Sequence, residues 1–359
     1  MNAKNNKNNK NNNLNNTRKN KNIKNNKNYA PDKNNNKNNL NNNINNNLNN
    51  INNNNNNIDN INWYPGHMAK TRRMIEASLK LTDAVCEILD ARIPISSRNP
   101  DIDALTADKP RLMILNRADQ ADPNLTARWI DYYNNLNNKI IAFRTDAKSG
   151  RGFSQFAPTI RELLSERINF WTQKGQSGHI IRVMILGVPN VGKSTFINRV
   201  AGRNSAKAEN RPGVTRGKQW IVIDRQTELL DTPGILWPKF ENKTIGEHLA
   251  WTGAIKDNIL DLETLGSDFI AFLARRYPDA LFKSYGLDLN NNNNNIPAES
   301  AFENPVAYGY ELLKIAGARR GYKISGGEID TERMSRVLFD EFRSGKLGRF
   351  TLESPEDII

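Results

Sequence analysis

Nine consecutive residues, Gly187-Val188-Pro189-Asn190-Val191-Gly192-Lys193-Ser194-Thr195, have the types and spacing needed to hold a run of phosphates. Gly187, Gly192, Lys193 and Ser194 satisfy the G-x-x-x-x-G-K-[ST] pattern. Backbone N–H groups of such a loop close around phosphate oxygens, and the helix that follows adds partial positive charge at its N-terminus. Val188 to Thr195 are therefore the expected phosphate contacts. Lys193 can reach the β and γ phosphates, and the Ser194 hydroxyl can ligate Mg²⁺. Asn190 has two readings: an oxygen ligand for a monovalent cation beside the phosphates, or a hydrogen bond within the loop.

Further stretches extend this chemistry. Asp231-Thr232-Pro233-Gly234 is a D-x-x-G element, in which Asp231 can hold a Mg²⁺-bound water and the Gly234 N–H can bond a γ-phosphate. Ile235 follows, where Ras-like enzymes carry a Gln that positions water; an apolar side chain cannot do so. The polar stretch 203–217 contains Arg211-Pro212-Gly213-Val214-Thr215, and one Thr on a mobile loop suits a sensor of γ-phosphate and Mg²⁺. Asn116-Arg117-Ala118-Asp119 is close to N-K-x-D, whose carboxylate accepts both N1–H and the amino group of guanine. Asn116 would hold the neighbouring loop and bond near N7. Arg117 stands where Lys is usual, and its planar head needs more room. In Thr145-Asp146-Ala147-Lys148-Ser149-Gly150 the Ala147 N–H can meet guanine O6, with Asp146 where Ser is commoner.

Strands and helices must hold these loops. Apolar runs predict strands at Ala84–Leu89, Arg111–Leu115, Lys139–Phe143, Ile180–Leu186, Gln219–Ile223 and Thr227–Leu230. Amphipathic spacing predicts helices over Met68–Lys80, Pro123–Tyr133, Phe153–Arg167 and Phe196–Val200. A helix-rich region follows, with Leu262–Arg275, Ala307–Ala316 and Thr331–Phe342, the last capped by Asp330. The base-reading motifs precede the phosphate loop, the reverse of the usual order. Six strands can still close the same doubly wound sheet once its termini are moved, a change tolerated where the original termini lie close together.

With these motifs in place, the chain resembles the circularly permuted GTPases of ribosome assembly, in the ribosome biogenesis GTPase A (YlqF/RbgA) branch. The resemblance covers residues 61 to 359 apart from Asn290–Asn295. It rests on Trp63-Tyr64-Pro65-Gly66-His67-Met68, Asp90-Ala91-Arg92-Ile93-Pro94, Asn116–Asp119, Gly187–Thr195, Pro212–Thr215, Asp231–Gly234 and Arg343-Ser344-Gly345-Lys346-Leu347-Gly348. It implies a GTP hydrolase, binding GTP or GDP with Mg²⁺ and K⁺, that assists late maturation of the large ribosomal subunit and is stimulated by that particle. It implies contact with rRNA, no DNA or membrane partner, a monomer off the ribosome and a cytoplasmic location, with an organelle such as the mitochondrion left open. His67 becomes the residue implied to activate water in place of Ile235, with Lys193 and Gly234 as its catalytic companions, and Asn190 falls in a potassium site. By position alone, at the turn into the first helix, a capping or packing histidine is the commoner reading of His67.

Composition sets the frame. Of residues 1–60, 35 are Asn, and nine Lys with Arg18 against Asp32 and Asp59 supply +8 of the formal net charge of +13. Such a segment cannot bury enough apolar surface to offset its ordering entropy. It reads as a disordered basic tail, either touching RNA through salt-sensitive contacts or without a specific role. No apolar run is long enough to span a bilayer, and the first residues lack a signal-peptide core. Cys86 is the single cysteine, which excludes an intrachain disulfide and any multi-cysteine zinc module. The expected organisation is a tail over 1–60, a permuted GTPase domain over 61–250 and a helical RNA-binding domain over 251–359. In the last, Arg319, Arg320, Lys323, Arg333, Arg336, Arg343, Lys346 and Arg349 form a basic patch suited to an RNA backbone. Two other readings are a nucleotide-regulated interaction module with incidental turnover and a small-subunit assembly GTPase.

Overall fold

The computed structural model describes residues 65–106, 108–136, 139–176, 178–202, 220–236, 242–289 and 296–358, with side chains from residue 70 onward. The Asn-rich tail, the stretch containing Thr215 and the Asn290–Asn295 insertion lie outside the described residues.

All six expected strands form: β1 (Ala84–Asp90), β2 (Arg111–Asn116), β3 (Ile140–Arg144), β4 (Ile181–Leu186), β5 (Trp220–Asp224) and β6 (Thr227–Leu230). They make one sheet in the order β3-β2-β1-β4-β6-β5, parallel throughout except for the β5–β6 hairpin. The period-2 alternation of a strand sends Ala84, Cys86 and Ile88 to one face and Val85 and Leu89 to the other. Both faces of a largely parallel sheet must be covered. On the first, Phe156 and Ile160 of α4 (Phe156–Leu163) join Phe196 and Ile197 of α6 (Lys193–Ala201). On the second, α1 (Pro65–Leu79) packs through Ile75 and Leu79 and α2 (Pro100–Thr106) through Ile102. There α3 (Pro123–Leu136) adds Trp129 and Tyr133.

Five helices follow: α7 (Lys243–Trp251), α8 (Leu262–Arg276), α9 (Pro278–Tyr285), α10 (Pro305–Arg319) and α11 (Thr331–Arg343). Side-chain caps start four of them: Asn242 accepts from the Thr244 N–H at the head of α7. Asp261 accepts from the Thr264 N–H, Asn304 from Ala307 and Asp330 from Arg333, the last as its sequence position predicts. α8 is the axis of this bundle; its Phe269 stacks on Phe339 and meets Phe342 edge-on. The apolar core is continuous from the sheet through Leu249 and Trp251 into these helices.

Some boundaries differ from the sequence expectation. α1 starts at Pro65 rather than Met68, because Pro needs no N–H partner in a first turn. Phe153–Arg167 is not one helix: a short 3₁₀ turn leads into α4, and α5 (Ser165–Gln173) begins after Leu164, whose φ and ψ of −103° and 12° break the run. Leu164 stays in the core while α5 buries none of its residues. α2, α7 and α9 carry no long apolar period and were not anticipated.

Candidate nucleotide site

Ligands of open α/β sheets bind beyond the carboxyl ends of the strands, and every singled-out loop with described residues lies there. The phosphate loop follows β4, Asp231–Gly234 follows β6, Asn116–Asp119 follows β2 and Thr145–Gly150 follows β3. A cleft of about 790 Å³ opens among them, lined by Arg117, the phosphate loop from Pro189 to Thr195 without Val191, and Asp231 to Gly234.

The glycine of the loop is required by geometry. Gly192, at φ 100°, caps α6, and a Cβ there would collide with the Asn116 side-chain amide. That amide is the tie between loops: Nδ2 donates to Val191 O at 2.8 Å, and Oδ1 accepts from Thr145 Oγ1 at 3.0 Å. Asn116 thus joins the two base-side loops to the phosphate loop. Gly234 approaches equally closely, since an added Cβ would lie 2.9 Å from Lys193 Nζ and 2.8 Å from Pro189 Cα.

Lys193 is buried, and Nζ donates to Gly187 O (3.0 Å) and Val188 O (2.8 Å), folding the ammonium back over its own loop. Burial pushes its pKa down to about 8, with the Asp231 charge opposing. Desolvation likewise lifts Asp231 above the ordinary carboxylate range, with Lys193 pulling the other way. Ser194 and Thr195 are exposed at the start of α6, on the cleft. Val188 and Val191 point into the core and contribute only backbone. Asn190 adopts the left-handed region at φ 57°, and its side-chain Nδ2 donates to Gly253 O at 2.7 Å.

Arg117, at φ 61°, donates from Nη2 to Asn190 O at 2.7 Å, and its Nε lies 3.7 Å from Asp90 Oδ2. Asp90 is also paired bidentately with Arg92, at 2.9 and 2.7 Å. Burial would raise the Asp90 pKa, but the charge and hydrogen bonds of Arg92 and the charge of Arg117 outweigh it and hold the carboxyl below its usual range. The room needed by an Arg at this position is thus found between β1 and the phosphate loop. Asp119 is half-buried and outside the cleft lining. Asp146 turns its carboxylate into its own loop, accepting from the N–H groups of Lys148 (2.8 Å) and Ser149 (3.1 Å) and from the Ser149 hydroxyl. Ala147 sits beside it, its carbonyl accepting from Arg199. Ile235 packs with the cluster of Ile75, Leu79 and Leu230, and its N–H donates to Gly187 O at 3.2 Å. His67 falls in the first turn of α1, with its side chain outside the described set, and Thr215 lies outside the described residues altogether.

Two members of the expected basic patch belong elsewhere. Arg343 donates inward to Trp251 O, Ala250 O and the Asp257 carboxylate. Arg349 donates to Ala118 O and Ala121 O, each at 3.0 Å. Both are committed to backbone carbonyls of other segments. Sequence reasoning also missed the segment that Arg349 begins. Phe350 N–H donates to Gln120 O, the Thr351 hydroxyl accepts from Asp122 N–H, and Leu352 N–H donates to Arg92 O. The C-terminal run therefore pins the loop that carries Asp119.

Comparison with known proteins agrees with this architecture. A family model described as 50S ribosome-binding GTPase matches residues 182–293. The ribosome biogenesis GTPase A of Priestia megaterium is 45% identical over 298 residues, covering 83% of this chain and 98% of that protein. Two solved structures of Thermotoga maritima YlqF, one GDP-bound and one GNP-bound, each superpose with a TM-score of 0.53 at 25% identity. The GDP-bound one covers 79% of this chain and is covered in full; for the GNP-bound one the shares are 80% and 99%. A sheet with its phosphate loop on a central strand, a helical bundle behind it, and 45% identity along almost the whole of a relative lead to one assignment: this chain belongs to the ribosome biogenesis GTPase A family.

Proposed function

We propose that this protein hydrolyses GTP as an assembly factor in late maturation of the large ribosomal subunit, and that the particle stimulates hydrolysis. The observation that carries the reading is the convergence of Lys193, Ser194, Asp231 and Gly234 on one cleft with Arg117 at its base-side wall. Lys193 releases its two loop carbonyls to take the β and γ phosphates, and the Gly234 N–H bonds the γ-phosphate. Ser194 and Asp231 (the latter through water) offer hard oxygen donors that fit Mg²⁺, joined by Thr215. Bound there, Mg²⁺ would neutralise charge on the β and γ oxygens. Asn190 supplies an amide oxygen suited to K⁺, because its nitrogen is taken by Gly253. Asp119 reads guanine N1–H and the amino group, and Ala147 reads O6. Asp146 supports Ala147 by shaping its loop rather than by touching the base.

Ile235 is held in an apolar cluster and cannot orient water, which leaves the activation of water to His67. An imidazole with an ordinary pKa near ~6.5 can accept or orient the proton of that water. The same observation favours a second reading, a nucleotide-regulated interaction module with incidental turnover. For partners, exposed Arg319, Arg320, Lys323, Arg333, Arg336 and Lys346 remain as a reduced basic surface for rRNA. The functional units are the GTPase domain, residues 61–250, and the helical domain, residues 251–359, with the protein a monomer away from the ribosome. The proposed place of work is the cytoplasm; among the described residues no helix is long and apolar enough to cross a membrane.

The test is sedimentation of the tagged protein with purified large and small subunits, in GDP and in a non-hydrolysable GTP analogue, alongside single-turnover hydrolysis. Large-subunit binding that depends on the triphosphate, and stimulation lost by ~10- to 1,000-fold in His67→Ala, supports the proposal. Absence of stimulation in the parent protein favours the interaction module, and binding to the small subunit alone overturns the assignment of particle.

A further inference from the structure

Asn190 is bonded from both sides of the nucleotide cleft. Its carbonyl accepts from Arg117 of the base-side loop at 2.7 Å, and its side-chain nitrogen donates to Gly253 O at 2.7 Å. Gly253 lies in the turn after α7, the helix nearest in sequence to Asp231–Gly234. That turn is closed by backbone bonds, Gly253 N–H to Ala250 O at 3.0 Å and Ala254 N–H to Leu249 O at 2.8 Å. Gly253 has φ 79°, and it carries no side chain to anchor it. The side chain that packs on it from outside is Arg343, the last residue of α11 in the helical domain. The guanidinium donates to Trp251 O at 2.9 Å and to Ala250 O at 2.8 Å, adding side-chain donors to the backbone cap of α7. The same group forms a fork with Asp257 at 2.8 Å on both arms. Its Nε lies 3.2 Å from where a Gly253 Cβ would stand, so the guanidinium rests against the Gly253 backbone.

We infer that Arg343 is a positioning residue for nucleotide binding, acting from the helical domain through Gly253 on the side-chain amide of Asn190. The inference rests on the reading of the cleft as a GTP site. A planar amide whose nitrogen is committed to Gly253 O has a fixed orientation, and so the oxygen on its other arm is fixed as the group available to the phosphate side. Loss of the guanidinium removes the outer support of the turn, Gly253 O shifts with it, and Asn190 loses the fixed position of one of its two ties. Linkage makes the effect reciprocal: a partner that displaces α11 weakens nucleotide binding by the same factor by which nucleotide weakens that displacement. Lys cannot replace Arg here, because a single ammonium cannot cap two carbonyls and pair with both Asp257 oxygens in one plane.

A double-mutant cycle tests this on the full chain, with equilibrium binding of a fluorescent GDP analogue as the readout and thermal melting measured in parallel. Arg343→Lys and Asn190→Ala should each weaken binding, by roughly 5- to 50-fold, and the double variant should be no weaker than Asn190→Ala alone. Asp257→Asn, which loosens the fork without emptying the site, should weaken binding in the same direction and by less. That variant decides the matter should Arg343→Lys fail to fold. Additive effects of the two substitutions, or a melting change in Arg343→Lys and Asp257→Asn with unchanged affinity, would reduce Arg343 to a structural cap of α7. Parent protein that binds no guanine nucleotide would instead overturn the underlying GTP-site reading, so the two failures are distinct.

Discussion

Two buried ionisable side chains make opposite uses of desolvation. Lys193 has its pKa lowered from 10.5 to about 8 chiefly by burial. Between those values the unfolded chain binds more protons than the folded one, so the nucleotide-free protein should gain stability as pH rises from about 8 to about 10.5. Phosphate oxygens favour the ammonium, so nucleotide binding must take up protons in the same window, and affinity should fall as pH rises above about 8. Calorimetric titration at pH ~8.5 in two buffers of different ionisation enthalpy checks this; identical apparent enthalpies would contradict it. Lys193→Ala should lower affinity by ~10- to 100-fold, the worth of a charge-assisted hydrogen bond. Glu87, buried in the middle of β1, is raised from 4.5 to about 7, mainly by burial, against the pull of Arg111 and Arg98. Neither of its carboxylate oxygens has a hydrogen-bond partner, and the nearest cation, Arg111 Nη1, is 3.6 Å away. Here the folded chain holds the extra proton, so stability should fall as pH rises from about 4.5 to about 7 and then level off. Glu87→Gln should remove that slope and stabilise the protein above pH 7 by ~1–3 kcal/mol. Urea unfolding across the pH range measures it, and a variant with the parent slope would show that Glu87 stays ionised.

At the scale of elements, the bundle depends on helices that meet backbone to backbone. Gly309 of α10 faces Ser267 of α8 so closely that any Cβ would overlap the Ser267 carbonyl. Gly309→Ala must push the two axes apart, lengthening contacts along Leu312, Leu313 and Phe269, and overpacking of this kind costs about 1–3 kcal/mol. A lower urea midpoint at unchanged slope is expected; a midpoint equal to the parent would mean the helices slide without loss. Elements of this protein were legible in sequence where their signal is local. The phosphate loop carries its whole pattern in nine residues, and the six strands end in the loops that matter. Arg343 and Arg349 were not legible as ties. Arg343 recurs at near-helical spacing with Arg333 and Arg336, and Arg349 belongs to the same basic run, which is what a solvated face looks like. Their acceptors, Ala250, Trp251, Ala118 and Ala121, are featureless carbonyls roughly 90 and 230 positions away in the chain. The loop hydrogen bonds of Asp146 were not legible for the opposite reason: its partners are Lys148 and Ser149, so close that the local turn absorbs the side chain.

Across the whole molecule, one carboxylate joins the parts. Glu353 accepts from the N–H groups of Ile95 (2.6 Å) and Ser96 (3.0 Å) and from the Ser96 hydroxyl, and its Oε1 lies 2.8 Å from His248 Nδ1. Ile95 and Ser96 close the loop after β1, whose Asp90 holds Arg117. His248 belongs to α7, which ends at the turn that holds Asn190. The Glu353 carbonyl also accepts from Trp129 Nε1, anchoring the C-terminal run to α3. With the apolar core continuous across this junction, the sheet and the bundle should unfold together. Glu353→Ala would leave the buried N–H groups of Ile95 and Ser96 without this acceptor and His248 Nδ1 with Ser96 Oγ alone, at 3.1 Å. Loss of one partner from a buried ionic cluster costs about 3–5 kcal/mol, while the two apolar layers on either side remain intact. Scanning calorimetry should therefore show one transition in the parent and, in Glu353→Ala, an earlier transition that separates from a later one. Guanine-nucleotide affinity should fall with it, because the loop carrying Asp119 is held by the same C-terminal run through Arg349, Phe350 and Thr351. A variant that melts in a single step near the parent temperature, with parent affinity, would show that the junction holds without Glu353.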